Sequence, residues 1–118
     1  RPDYIIVGEV RGEEAYTLFQ AMAIGHLGMS TVHAESMDAI IHRLESEPMN
    51  IPRPLLTMID AAMFQVRTEV DGRPARRALM IKEVVALDPK TKELLTNEVY
   101  RWDAKRDVFL YSGRSYIL

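Results

Sequence analysis

The sequence predicts an α/β unit of short parallel strands and helices, followed by an antiparallel β-meander. Three observations carry that prediction. Up to about residue 60, short uncharged apolar runs alternate with segments whose apolar residues recur every three or four positions. From Ala62 the apolar period becomes two. Turn sequences, Asp71-Gly72 and Asp88-Pro89-Lys90, separate the period-two segments. The expected division is therefore a first unit over 1–60 and a β-rich unit over 61–118.

Taken in order, Tyr4-Ile5-Ile6-Val7 is an apolar run that stops at Gly8 and delivers Glu9. It has the character of a parallel strand covered on both faces. Glu13–Ala23 places Ala15, Leu18, Phe19, Met22 and Ala23 on one helical stripe. Glu13 and Glu14 stand in the first turn, where the helix dipole favours anions, and Gly25 suits the C-terminal cap. His26 follows within Gly25-His26-Leu27-Gly28, where the glycines would let the backbone bend tightly around it. Met29-Ser30-Thr31-Val32 is a second short strand candidate and ends in His33. Ser36 is placed to cap a second helix with Met37, Ile40, Ile41 and Leu44 facing inward. Glu47-Pro48 ends that helix. Pro52 and Pro54 lead into a short third helix holding Leu55, Leu56 and Ile59.

The meander begins with Ala62, Phe64, Val66, Thr68 and Val70 alternating with Met63, Gln65, Arg67 and Glu69. Asp71-Gly72 turns the chain, and 78–87 returns. Residues 98–102 and 108–111 form the third and fourth strands. Trp102, Tyr100 and Phe109 read as packing residues of this sheet rather than as a stacking platform for bases. No internal repeat or low-complexity segment is present.

Composition bounds the function. The chain has 118 residues, of which 47% are apolar, enough for a core. No apolar run approaches the roughly 20 residues of a membrane span, and no N-terminal stretch has a signal-peptide pattern. With no cysteine, disulfides and thiolate metal sites are excluded, and a cytosolic setting fits. A net charge of −2 carries no gross nucleic-acid signature. The charge is unevenly spread: residues 1–60 hold 4 basic and 9 acidic residues, a net of −5, and 61–118 hold 11 basic and 8 acidic, a net of +3. Either the two subdomains have differently charged surfaces, or complementary faces meet between subunits.

A buried strand ending in a carboxylate is how P-loop enzymes hold Mg²⁺, usually through water, beside the β- and γ-phosphates. The acid must stand at the strand's C-terminal end, where open α/β sheets form their ligand crevice. Glu9 meets that demand. An imidazole can donate to a γ-phosphate or relay its state, and His26 and His33 are candidates, against the alternative of a turn histidine and a satisfied strand-end histidine. Glu9, His26, His33 and Glu35 are metal-ligating types but lack HExxH spacing. His42, beside Arg43, reads as solvated surface. No GxxxxGK[ST] loop precedes Glu9, so the chain reads as one half of an ATPase site without its phosphate-binding half.

Together, RPDYIIVGEVRGEEA and GHLGMSTVHAES resemble the Walker B motif and His box of the type II/type IV secretion ATPase superfamily. Those proteins are hexameric motors of type II secretion, type IV pili and the archaellum, and the wording is most similar to the archaeal branch. The resemblance is strong over about the first 70 residues. It implies the C-terminal half of a RecA-like P-loop ATPase domain, with the meander appended. It also implies ATP and Mg²⁺ as the parent's cofactors, not bound by the fragment, which would be inactive alone. Carried over residue by residue, Glu9 supports Mg²⁺ and the attacking water. His26 and His33 are the His-box pair near the γ-phosphate. Arg11 makes either an ion pair within the fold or a phosphate contact, and Thr31 is either structural or a sensor of the site. The resemblance further implies partners: an upstream half, neighbouring subunits of a homohexamer, and an inner-membrane platform protein, with no nucleic acid. The implied location is cytoplasmic, peripheral at the inner face of the membrane. The Walker A loop, acidic box and intersubunit arginines of the family have no counterpart in the chain, which is expected to be a fragment. A reading of a different class is a non-enzymatic β-rich interaction module with a structural Glu9 and His33.

Overall fold

The structure, a computed structural model, describes residues 3–117. The fold is α/β with an appended antiparallel sheet, and the chain divides into two compact units, Arg1–Met58 and Ile59–Leu118.

In the first unit, β1 (Tyr4–Val7) pairs in parallel with β2 (Leu27–Ser30), in register from Tyr4 with Leu27 to Val7 with Ser30. Parallel neighbours need a crossover, and α1 (Glu14–Ala23) supplies it. Ala15, Leu18 and Phe19 are its buried stripe, with Met22 half-buried. The expected inward position of Ala23 is corrected: it is exposed, because the helix ends there. Gly25 adopts φ 106°. The N–H of Gly25 then donates to the Met22 carbonyl and that of His26 to the Ala21 carbonyl, both at 3.1 Å, a Schellman closure.

Gly28 has a different reason from the expected tight bend. A Cβ there would stand 2.7 Å from Met22 Sδ and 3.0 Å from Leu18 Cδ1, so glycine lets α1 lie directly on β2. Since successive residues alternate faces, α1 covers the face of Ile5, Val7 and Gly28. On the other face Tyr4, Ile6, Leu27 and Met29 are all exposed, Ile6 at 71%. Of the two faces expected to be covered, the described residues cover the one turned toward α1.

Helix α2 (Met37–Glu45) is capped as its sequence requires, Ser36 Oγ accepting from the Ala39 N–H at 3.1 Å. It buries Met37, Ile40 and Leu44. The short third helix is a 3-10 turn, Arg53–Met58, tied to α2 by a two-pronged bond from Arg53 to Glu45 at 2.6 and 2.7 Å. Ile51 and Leu56 are the most deeply buried large side chains here.

The second unit is a four-stranded meander in the order β3 (Ala61–Val70), β4 (Arg73–Leu87), β5 (Leu94–Asp103), β6 (Val108–Tyr111). Asp71 and Gly72 have φ 53° and 75°, as a two-residue hairpin turn with the strands' own twist requires. Pairing therefore starts at Val70 with Arg73, five residues before the expected start of the return strand. Phe64, Val84, Val99 and Trp102 are buried. Of the three aromatics expected to pack, only Trp102 does. Tyr100 and Phe109 are exposed, and the Tyr100 ring lies 5.2 Å from that of Tyr111.

Candidate functional site

The site is built past the ends of β1 and β2. Thr31 Oγ1 donates to the Gly8 carbonyl at 2.6 Å, and the Val10 N–H donates to the Thr31 carbonyl at 3.0 Å. These bonds continue the parallel pairing beyond Val7 and Ser30, and buried Val10 anchors the segment in the unit. Glu9 and His33 thus both follow the C-terminal ends of adjacent parallel strands, the position at which open α/β sheets take ligands. The Thr31 hydroxyl proton is engaged in this structural bond.

Arg11 reaches back to Glu9, its Nε and a terminal nitrogen each 2.7 Å from Oε2. Of the two roles open to Arg11, the structure has the ion pair. The pair is exposed and adds little to stability, so its consequence is electrostatic. The Arg11 hydrogen bond holds the Glu9 carboxyl below its ordinary range against a smaller desolvation penalty, and the charges of Arg11, His33 and Arg43 act in the same direction. The Arg11 backbone is fixed in turn by Glu14, whose Oε1 accepts from the N–H groups of Arg11 at 2.8 Å and Gly12 at 3.0 Å. These bonds place the first turn of α1 against the site and keep the Glu14 carboxyl ionised.

His26 does not join the group. It immediately precedes Leu27, which pairs with the first residue of β1. The length of a four-residue strand, about 13 Å at ~3.3 Å per residue, separates it from the end where Glu9 and His33 stand. The expectation that both imidazoles approach one crevice is corrected for this reason. His26 closes the end of α1 instead. Arg43, in the last turn of α2, is the residue that sequence reasoning missed. Its place on a polar helix face beside His42 gave no sign of a distant carboxylate.

Among the described residues no three His, Cys, Asp or Glu side chains are grouped to hold a metal ion. Glu9 keeps Oε1 without a hydrogen bond from any described residue. A lone carboxylate with one oxygen not hydrogen-bonded among the described residues suits a hard cation held largely through water and does not suit an all-protein cage.

The family described as Type II/IV secretion system protein matches residues 1–108, both the strand-end site and most of the meander. Among curated proteins, the chain is 52% identical over its whole length to the uncharacterized protein MJ1287 of Methanocaldococcus jannaschii, covering 44% of that protein. It is 33% identical over 75% of its length to conjugal transfer protein TrbB of Rhizobium radiobacter, covering 27% of that protein. It is 40% identical over 54% of its length to type II secretion system protein E of Klebsiella pneumoniae, covering 14% of that protein. The chain thus spans less than half the length of these relatives.

Proposed function

The chain belongs to the Type II/IV secretion system protein family, and on that premise we propose that it carries the carboxylate and imidazole edge of a motor ATPase's nucleotide site. The parent protein would couple ATP hydrolysis to protein secretion or filament assembly. One observation supports this most: Glu9 and His33 follow the C-terminal ends of adjacent parallel strands joined past their ends by the Thr31–Gly8 bond.

In this reading Glu9 is the base of the crevice. Its carboxylate, kept ionised and oriented by Arg11, would hold a Mg²⁺ through water and orient the attacking water. Mg²⁺, when bound with ATP, neutralises charge on the phosphate oxygens. His33 donates to the γ-phosphate region and passes the nucleotide state to the backbone between β2 and α2.

No GxxxxGK[ST] sequence occurs in the chain. We place the phosphate-cradling loop in the part of the relatives' length that this chain does not cover. The same proposal makes the working form a homohexamer, acting at the cytoplasmic face of a membrane against a platform protein.

Glu9→Gln in the full-length protein tests the assignment. The amide keeps the shape and loses the charge, so Mg·ATP should bind while turnover falls about a hundredfold or more. Unchanged turnover would make the strand-end acid structural.

A further inference from the structure

Glu14 is the first residue of α1, yet its carboxylate serves the chain ahead of that helix. Oε1 accepts from the N–H groups of Arg11 at 2.8 Å and Gly12 at 3.0 Å. A side chain that stabilises a helix start bonds the N–H groups of the first turn or that of the N-cap residue. Arg11 and Gly12 both precede the N-cap residue, Glu13. Inside the first turn, the N–H groups of Ala15 and Tyr16 donate to the Gly12 and Glu13 carbonyls, both at 3.1 Å. Backbone groups therefore close the helix start, and the Glu14 carboxylate ties down the segment that carries Glu9.

Gly12 makes room for that carboxylate. Its φ is not positive, so left-handed backbone gives no reason for glycine there. A Cβ at Gly12 would stand 3.1 Å from Glu14 Oε2, closer than ordinary contact. Two bonds to Oε1, and a missing Cβ beside Oε2, hold the carboxylate across the Arg11–Gly12 peptide.

The preceding residues are held separately. Thr31 bonds the Gly8 carbonyl and the Val10 N–H, and the Val10 side chain is buried. These contacts do not aim the side chains of Glu9 and Arg11. Among the described residues, Glu9 hydrogen-bonds to Arg11, whose side chain is 77% exposed. A surface ion pair loses side-chain entropy when it is held in one geometry, so the pair needs a fixed starting point. The Glu14 bond to the Arg11 N–H supplies one. We propose that Glu14 is a positioning residue of the Glu9 site: it fixes the Arg11 backbone, and Arg11 in turn orients the Glu9 carboxylate. Its effect on turnover rests on the nucleotide reading of Glu9, whereas the Glu14–Arg11–Glu9 linkage does not.

The linkage is measured without nucleotide, by titrating the Glu9 carboxyl of the full-length protein with carboxyl-carbon NMR, its signal assigned by its loss in Glu9→Gln. Arg11 holds this carboxyl below its ordinary range. In Glu14→Ala it should titrate closer to that range, because a mobile Arg11 bonds it less. Loss of the Glu14 charge alone acts the other way, since a neighbouring anion raises a carboxyl's pKa. An unmoved or lower pKa therefore overturns the proposal. In steady-state turnover, Glu14→Ala should lower kcat about tenfold and keep KM for Mg·ATP within about twofold, as expected when alignment in the transition state is lost. Glu14→Gln keeps an acceptor oxygen and should recover most of that loss. Gly12→Ala, which crowds Glu14 Oε2 and removes no polar group, should lower kcat in the same direction, with melting curves to establish that each variant folds. Arg11→Ala/Glu14→Ala should turn over as Arg11→Ala does, because residues acting through one another are not additive. If the two losses add, or if Glu14→Ala keeps wild-type kcat while Glu9→Gln loses it, Glu14 serves the helix alone and the proposal is overturned. Unchanged turnover in Glu9→Gln overturns the nucleotide reading instead, and the titration then decides the linkage.

Discussion

Glu9 and Glu83 are both carboxylates held below their ordinary pKa, and they illustrate two uses of the same chemistry. Glu9 is half-buried, paired with one exposed arginine, and keeps an oxygen without a hydrogen bond from any described residue. Glu83 is 3% exposed and surrounded by donors: Asn97 Nδ2 at 3.0 Å, Ser115 Oγ at 2.7 Å, and the N–H groups of Tyr116 and Ile117 at 2.9 and 3.0 Å. Burial opposes the Glu83 charge, but the four hydrogen bonds outweigh it and bring the carboxyl to about 2. A perturbed acid can mark a functional site. Here the donors come from Asn97 of β5 and from Ser115, Tyr116 and Ile117 after β6, and the group is a clamp. Its folded pKa lies below its ordinary 4.5, so its contribution to stability is present above that pH and lost as pH falls toward about 2. Asp107, lowered from 3.8 to about 2 mainly by Arg77, behaves alike. Urea midpoints across this window should therefore fall with pH, and Glu83→Gln should flatten the dependence and lower the midpoint at neutral pH. An unchanged slope would remove Glu83 from the account. Glu9 and His33 were legible in the sequence because each follows an apolar run. Glu83 was not, because its partners lie more than a dozen to over thirty residues away.

Helix α1 and β2 show how far an element can be read from its pattern. The apolar stripe located the helix, and Ser36 located the start of α2, because a helix period and a cap are local facts. The reason for Gly28 was not local. It depends on Leu18 and Met22 arriving from the helix above. Replacing Gly28 by Val puts a branched side chain where Met22 Sδ and Leu18 Cδ1 stand within 3.0 Å of a Cβ, and should destabilise the first unit by about 1–3 kcal/mol. Gly28→Ala should be milder, since the obstructing atoms are ends of flexible side chains. Chemical denaturation would measure both, and a Val variant as stable as wild type would contradict the close packing. The start of β4 was misplaced because Arg73-Pro74 reads as turn sequence. Pro74 is tolerated since β4 pairs there on one side only, with Glu69 opposite.

At the scale of the molecule, the family match extends through residue 108, beyond the first 70 residues that carried the resemblance most strongly. The meander belongs to the family signature as much as the strand-end site does. Its period-two alternation identified a sheet but held no chemistry that would assign it a role. The two histidines separate the two ends of the β1–β2 pair at which the proposed nucleotide chemistry could occur. His33 follows the end shared with Glu9, and His26 precedes the opposite end. The most direct measurement is steady-state ATP turnover of the full-length protein carrying either His33→Ala or His26→Ala, with melting curves to establish that both fold. His33→Ala should lower turnover by about a hundredfold, and His26→Ala should remain within a few-fold of wild type. Full turnover by His33→Ala, or a selective loss in His26→Ala, would contradict it.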